Sequence, residues 1–165
     1  DAYLYRLQRG DQGPSGRDLG FLRASPADIA SRLGRETERY VLGGIGWCEY
    51  LQFASPGSGR VFVLERALGA APTGSWVYVD RTADALDAVR DLFETLAIDL
   101  ADLEGFASDF VVDTGALPRW TLWRQDDNGI RAEVADFTGR RKAEAALRHY
   151  ESLHHKQVYW LEDRR

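Results

Sequence analysis

The sequence predicts an α+β fold: a mixed, largely antiparallel sheet with two or three packed helices, plus a C-terminal ββαβ module. Three observations point there. Between Arg39 and Asp80, four short runs rich in aromatic and β-branched residues alternate with clusters of Gly, Pro and Ser, as in hairpin-linked strands. Leu86, Val89, Phe93 and Leu96 recur at helical spacing, with Asp84, Asp87, Asp91 and Glu94 on the opposite face. Residues 119–165 read strand, turn, strand, helix, strand. With 165 residues, 44% of them hydrophobic, the chain can bury a core in one domain plus a small module. The expected organisation is an acidic α+β segment over 1–118 and a ββαβ module over 119–165 packed against it.

The elements follow in order. Tyr3 to Leu7 reads as a strand, and a loop runs through Gly10, Gly13, Pro14 and Gly16. Ser25 can cap a helix whose first position is Pro26 and whose Asp28 suits the positive end of the dipole; Gly34 can stop it. Strands are expected at Arg39–Leu42, Trp47–Phe53 and Arg60–Glu65, the last two joined by Ser55-Pro56-Gly57-Ser58-Gly59. Ser75–Asp80 is a fourth, with Trp76, Val77 and Val79 implying burial on both faces. Asp80 or Thr82 should cap the amphipathic helix, and a second short helix is expected over Asp99–Phe106. Ala116-Leu117-Pro118 marks a boundary. Beyond it come strands at Trp120–Gln125 and Ile130–Phe137 around an Asp126-Asp127-Asn128-Gly129 turn. A helix capped by Thr138 then runs to about Leu153, with Ala143, Ala146, Leu147, Tyr150 and Leu153 inward. A strand over Gln157–Glu162 closes the module.

Composition excludes several classes. No run approaches the ~20 apolar residues of a membrane helix, and no basic start leads into an apolar stretch. The lone Cys48 rules out an internal disulfide or a multi-cysteine metal site, and suits a cytoplasmic location. The lack of an initiator methionine points to a processed or excised chain. A net charge of −5 argues against a general nucleic-acid binder.

That charge is unevenly spread. Residues 1–118 hold 11 basic and 18 acidic side chains, a net of −7, whereas residues 119–165 hold 10 basic and 8 acidic, a net of +2. From Asp80 to Asp113 there are ten carboxylates against only Arg81 and Arg90. Such a run is either a solvated helix face or a docking surface that steers a basic partner.

The run Arg124-Gln125-Asp126-Asp127-Asn128-Gly129, followed by His155-Lys156-Gln157-Val158-Tyr159-Trp160, resembles a family of small uncharacterised bacterial domains. That family couples a DDNG turn, a helix with an alanine-glutamate pair and a closing Gly-His-Lys-Gln-x-Tyr strand. Ala143-Glu144 fits the pair, but His154 stands where the family has glycine, so the helix must end under strain or differently. The resemblance covers about 119–163 and implies no activity. The larger segment is similar, at fold level alone, to the small αβ immunity proteins of bacterial toxin systems.

The candidates for chemistry are few. Cys48 with a histidine would make a nucleophile and base, but alternation places Cys48 inside a strand as a small apolar residue. His149, His154 and His155 are spaced poorly for a tetrahedral metal, and adjacent Asp126 and Asp127 do not match a calcium loop. Gly43-Gly44-Ile45-Gly46 and Gly57-Ser58-Gly59 match no phosphate-binding fingerprint. Arg140, Arg141, Lys142, Arg148 and Lys156, near Trp120, Trp123, Tyr159 and Trp160, offer a basic and aromatic nucleic-acid surface, but Glu144 and Glu151 interleave with them.

The expectation is therefore a non-enzymatic, cytoplasmic protein that binds another, basic protein, as a toxin-neutralising immunity protein does. Asp84, Asp87, Asp91, Glu94, Asp99 and Asp102 would form the contact surface, with no catalytic residues, no metal, no cofactor, no membrane and no nucleic acid. The alternatives are an enzyme using Cys48 or a histidine in a pocket, and a nucleic-acid module using the basic C-terminal helix.

Overall fold

The computed structural model describes residues 16–69 and 73–164. It is an α+β fold with, among the described residues, nine strands in two antiparallel sheets, of six and three strands, and three α-helices. The chain divides into two compact units, Asp1–Asp91 with Asp102–Val112, and Leu92–Ala101 with Asp113–Arg165. The second unit thus takes in a stretch that a boundary at Pro118 leaves in the larger segment. The strand expected at Tyr3–Leu7 lies outside the described residues.

In the first unit, β1 (Gly16–Leu22), β2 (Glu38–Leu42), β3 (Gly46–Ala54), β4 (Val61–Ala67), β5 (Ser75–Asp80) and β6 (Leu103–Phe106) form a sheet of order β2-β3-β4-β5-β1-β6. Register places Leu51 opposite Leu64 and Phe53 opposite Phe62, while Phe62 and Leu64 face Val79 and Val77. These six side chains are buried and share one face, because residues two apart in a strand point the same way. Helix α1 (Pro26–Arg32) lies on β3 and β4 and buries Ile29 and Ala30. Its start is a reciprocal box. Ser25 Oγ accepts from the Asp28 amide at 3.1 Å, and Asp28 Oδ2 accepts from the Ser25 amide at 3.0 Å and its hydroxyl at 2.8 Å. That hydroxyl holds the Asp28 carboxyl below its usual range.

Strand β5 is buried on one face only. Ser75, Val77 and Val79 are inside, but Trp76 remains 43% exposed and Tyr78 is half-buried. Two strands replace other expectations. Residues from Gly16 on, read as loop, form β1, and Leu103–Phe106, read as helix, forms β6, paired with β1. Close backbone approach explains both: a Cβ on Gly20 would lie 2.3 Å from the Gly105 carbonyl oxygen. Only a three-residue 3₁₀ turn, Leu100–Asp102, survives of that expected helix.

Helix α2 (Ala85–Leu96) starts later than expected. Asp80 accepts from the Thr82 amide and hydroxyl and so closes the preceding turn. Asp84 is the cap: its carboxylate accepts from the Asp87 amide at 3.0 Å and its carbonyl from the Ala88 amide at 2.9 Å. The helix ends on Ala97 at φ 52°, and the Ile98 amide returns to the Phe93 carbonyl at 3.2 Å. This is the six-to-one bond of a glycine-type stop, with both apolar partners buried.

The second unit carries β7 (Trp120–Gln125), β8 (Arg131–Phe137), α3 (Arg140–Ser152) and β9 (Val158–Asp163), a ββαβ order with sheet order β8-β7-β9. Helix α3 packs on all three strands. Its cap is Gly139 and not Thr138, whose Oγ accepts instead from the Leu100 amide at 2.9 Å. Gly139 is sterically required: a Cβ there would lie 2.0 Å from the Ile98 carbonyl oxygen. Of the expected inner face only Ala143 is fully buried, and Leu153 is 45% exposed. In the β7–β8 hairpin only Gly129 takes positive φ, at 80°. The Gly129 amide bonds the Asp126 carbonyl, and Asp126 Oδ1 accepts from the Asn128 and Ile130 amides.

His154 adopts φ 50°, so histidine occupies the left-handed position directly after α3. Ala97 and His154 are the two non-glycine residues at positive φ among the described residues, and each follows a helix. Ala97→Gly and His154→Gly should each stabilise the protein by about 0.5–1 kcal/mol, visible as a higher urea midpoint with unchanged slope. A lowered midpoint in both would contradict this account of the helix ends.

Candidate partner-binding surface

The six acids singled out in the sequence do not form one surface. Asp84 and Asp87 are exposed, Asp84 while capping α2. Asp91 is half-buried, ion-paired with Arg60 and hydrogen-bonded by the Ser58 hydroxyl at 2.7 Å. Glu94 pairs with Arg140, whose other nitrogen reaches Glu144 at 2.8 Å, and proximity to Glu94 holds the Arg140 guanidinium above its usual range. Asp102 is half-buried at the end of the 3₁₀ turn, and its carbonyl accepts from the Arg23 amide at 3.0 Å.

Asp99 is a correction outright. It is 4% exposed, and its Oδ1 receives Lys142 Nζ at 2.8 Å and the Ala101 amide at 3.1 Å. The Thr138 amide reaches Oδ2 at 3.4 Å. A buried carboxylate so engaged cannot meet an external partner. Its presence below the surface follows from charge matching, since an unpaired buried charge would be too costly.

The same contacts account for the basic helix. Arg140 holds Glu94, Lys142 holds Asp99, and Arg141 donates to the Glu94 and Thr95 carbonyls at 2.7 and 3.2 Å, closing the free carbonyl end of α2. Three of the five cations proposed for nucleic acid are therefore committed to residues 94–99. The aromatic residues near them divide between two faces. Tyr159 stacks on Tyr150 of α3 at 5.2 Å, and Trp123 stacks on Trp160 at 6.4 Å beneath Arg164 and Arg131.

Cys48 lies on the other face of the large sheet, 1% exposed, in a cluster with Tyr40, Tyr50 and Val63. Tyr40 donates to Glu65 at 2.7 Å and Tyr50 to Glu38 at 2.5 Å. Burial, then the nearby Glu65 charge, pushes the Cys48 thiol up from its ordinary 9.0, so the thiolate is disfavoured. His149, His154 and His155 are all exposed. Among the described residues, no group of three His, Cys, Asp or Glu side chains is placed to hold a metal ion, and no helix is long and apolar enough to cross a membrane.

A surface that sequence reasoning did not single out lies at the tip of the β2–β3 hairpin. Val41, Ile45 and Trp47 are 60%, 61% and 58% exposed. Val41 and Trp47 are direct cross-strand partners and so share a face, and the Leu68 amide bonds the Trp47 carbonyl at 2.7 Å. Arg39, Ile45, Gly46, Trp47, Leu68 and Gly69 line a groove of about 510 Å³ there. Alternation identified Val41 and Trp47 as strand residues. The signal for exposure was the glycine-rich tip Gly43-Gly44-Ile45-Gly46, which leaves little side-chain mass to cover them.

The class defined by these features is an α+β protein of two antiparallel sheets with an exposed apolar hairpin. No family model, curated protein or solved structure matches the chain.

Two measurements follow. Asp99→Ala, which strands the Lys142 ammonium and two amides, should cost about 3 kcal/mol in unfolding free energy, whereas the half-exposed Glu94→Gln should cost less than about 1 kcal/mol. Equal costs would show that burial does not separate the two pairs. A thiol reagent should leave Cys48 unmodified in the native protein at pH 7–8 and modify it fully in denaturant, with native labelling rising only toward strongly alkaline pH. Rapid native labelling at neutral pH would revive a nucleophilic Cys48.

Proposed function

We propose that this protein acts by binding another protein, with the β2–β3 hairpin as the anchoring surface. The observation that carries this is the exposure of Val41, Ile45 and Trp47 side by side. Clustered large apolar side chains are costly to leave in water, and a tryptophan flanked by polar groups is the residue type that most often dominates a contact. The expected work is that of an immunity protein holding a toxin, and a basic toxin would still meet the outward acids Asp84 and Asp87. Asp91, Glu94 and Asp99 take no part, because Arg60, Arg140 and Lys142 already hold them.

Pull-down from a lysate of the source organism, followed by mass spectrometry, tests the surface. The Val41→Asp/Trp47→Ala double variant, shown to be folded by circular dichroism, should lose the partner that the parent protein retains. Retention of the same partner at the same level would overturn the hairpin as the anchor. Asp87→Lys should weaken capture only where the partner is basic, and the loss should shrink as salt is raised.

A further inference from the structure

From the charge and register of β2, we infer that the partner contributes an extended segment with an acidic and an apolar side chain two residues apart on one face, added as a strand along β2. The inference rests on the hairpin as a protein-binding surface and specifies what binds there; it is independent of the toxin-neutralising role.

Among the described residues β2 is an edge of the six-stranded sheet, bonded to β3 alone. An edge strand turns every second N–H and C=O outward, which is the template an added strand uses. The side chains beside that edge set the chemistry. Arg39 and Val41 are two apart and share the face that carries Trp47, because Val41 pairs with Trp47 and Arg39 with Glu49.

Among the described residues, Arg39 is an uncommitted cation of this face. Glu49, directly across from it, is buried and already receives Arg66 Nε at 3.1 Å and the Thr37 hydroxyl at 2.7 Å. Neighbouring guanidiniums are likewise engaged: Arg35 donates to the Gln52 carbonyl at 2.7 Å, and Arg66 also reaches the Thr73 carbonyl at 3.1 Å. The exposed Arg39 side chain has no such partner among the described residues. An added strand would place one side chain opposite Arg39 and the next on that face opposite Val41. A carboxylate satisfies the first position, and an apolar side chain, seated against Val41 and the Trp47 groove, satisfies the second.

The test uses a fluorescein-labelled synthetic peptide of about ten residues in which every second position is alternately aspartate and valine, with threonine between them, so that one face carries both; the same peptide with lysine in place of aspartate is the control, and each is titrated with the full chain. Anisotropy should show binding of the acidic peptide, weakened about tenfold by Arg39→Glu and about tenfold by Trp47→Ala, with the lysine peptide showing the reverse response to Arg39→Glu. Amides of β2 should gain hydrogen-exchange protection in the complex. Equal binding of both peptides, indifference to Arg39→Glu, or unchanged β2 protection would overturn the strand-addition proposal. So would concentration-dependent self-association that Val41→Asp abolishes, since the edge would then serve a second copy. If the pull-down partner is lost in Val41→Asp/Trp47→Ala but the acidic peptide fails, the hairpin surface stands and the strand chemistry falls. If the double variant alters neither, the surface itself falls.

Discussion

A carboxylate taken out of water costs several kcal/mol unless its charge is matched and its lone pairs are used. Asp99 is such a group, and much of the second unit is arranged around satisfying it. Lys142 supplies the charge; the amides of Ala101 and Thr138 supply the remaining donors. Meeting these donors draws the stretch after α2 against the start of α3, so closely that the Ile98 carbonyl occupies the space of a side chain at 139. Glycine is what that position tolerates. Once Lys142 is fixed, its neighbours fall into place: Arg141 lies at the carbonyl end of α2 and Arg140 beside Glu94. These outer contacts are half-exposed and screened, so they follow the buried pair and do not create it.

The arrangement changes the meaning of the charge distribution. An acidic stretch and a basic helix look like two surfaces for two kinds of partner, yet in the folded chain Glu94 and Asp99 of the one are counterions of Arg140 and Lys142 of the other. What faces outward is smaller and less charged. The large sheet, by contrast, spends its strength on an apolar face under α1 and leaves bare, at one end, the side chains of the β2–β3 hairpin. With tryptophan, valine and isoleucine exposed there, the proposed contact would rest on shape more than on capture by field.

Strands β2 to β5 and the C-terminal module were legible to within a residue or two, because alternation and glycine-rich turns are local signals. Ser25 with Asp28 was legible for the same reason. Strands β1 and β6 were not: their pairing depends on Gly20 approaching Gly105, and glycine in a sequence reads as loop. The 100° periodicity correctly grouped Asp84, Asp87, Asp91 and Glu94 on one face of α2. It could not show that Arg60 lies 31 residues back from Asp91, or Arg140 46 residues on from Glu94, because those pairings are made only by the folded chain. Exposure of Val41 and Trp47 was hidden for the converse reason: an apolar strand residue looks the same in sequence whether covered or bare.

The discontinuity of the second unit also has a bearing on how the chain is made. Lys142 follows Asp99 by 43 residues, so a ribosome adding ~5–20 residues per second leaves roughly 2–9 s between them. Throughout that interval Leu92, Phe93, Leu96 and Ile98, all buried in the finished protein, belong to a nascent chain whose counterpart has not yet been synthesised. The acids Glu94 and Asp99 are then still uncompensated by Arg140 and Lys142. They give this apolar stretch the negative charge that keeps neighbouring nascent chains from associating through it.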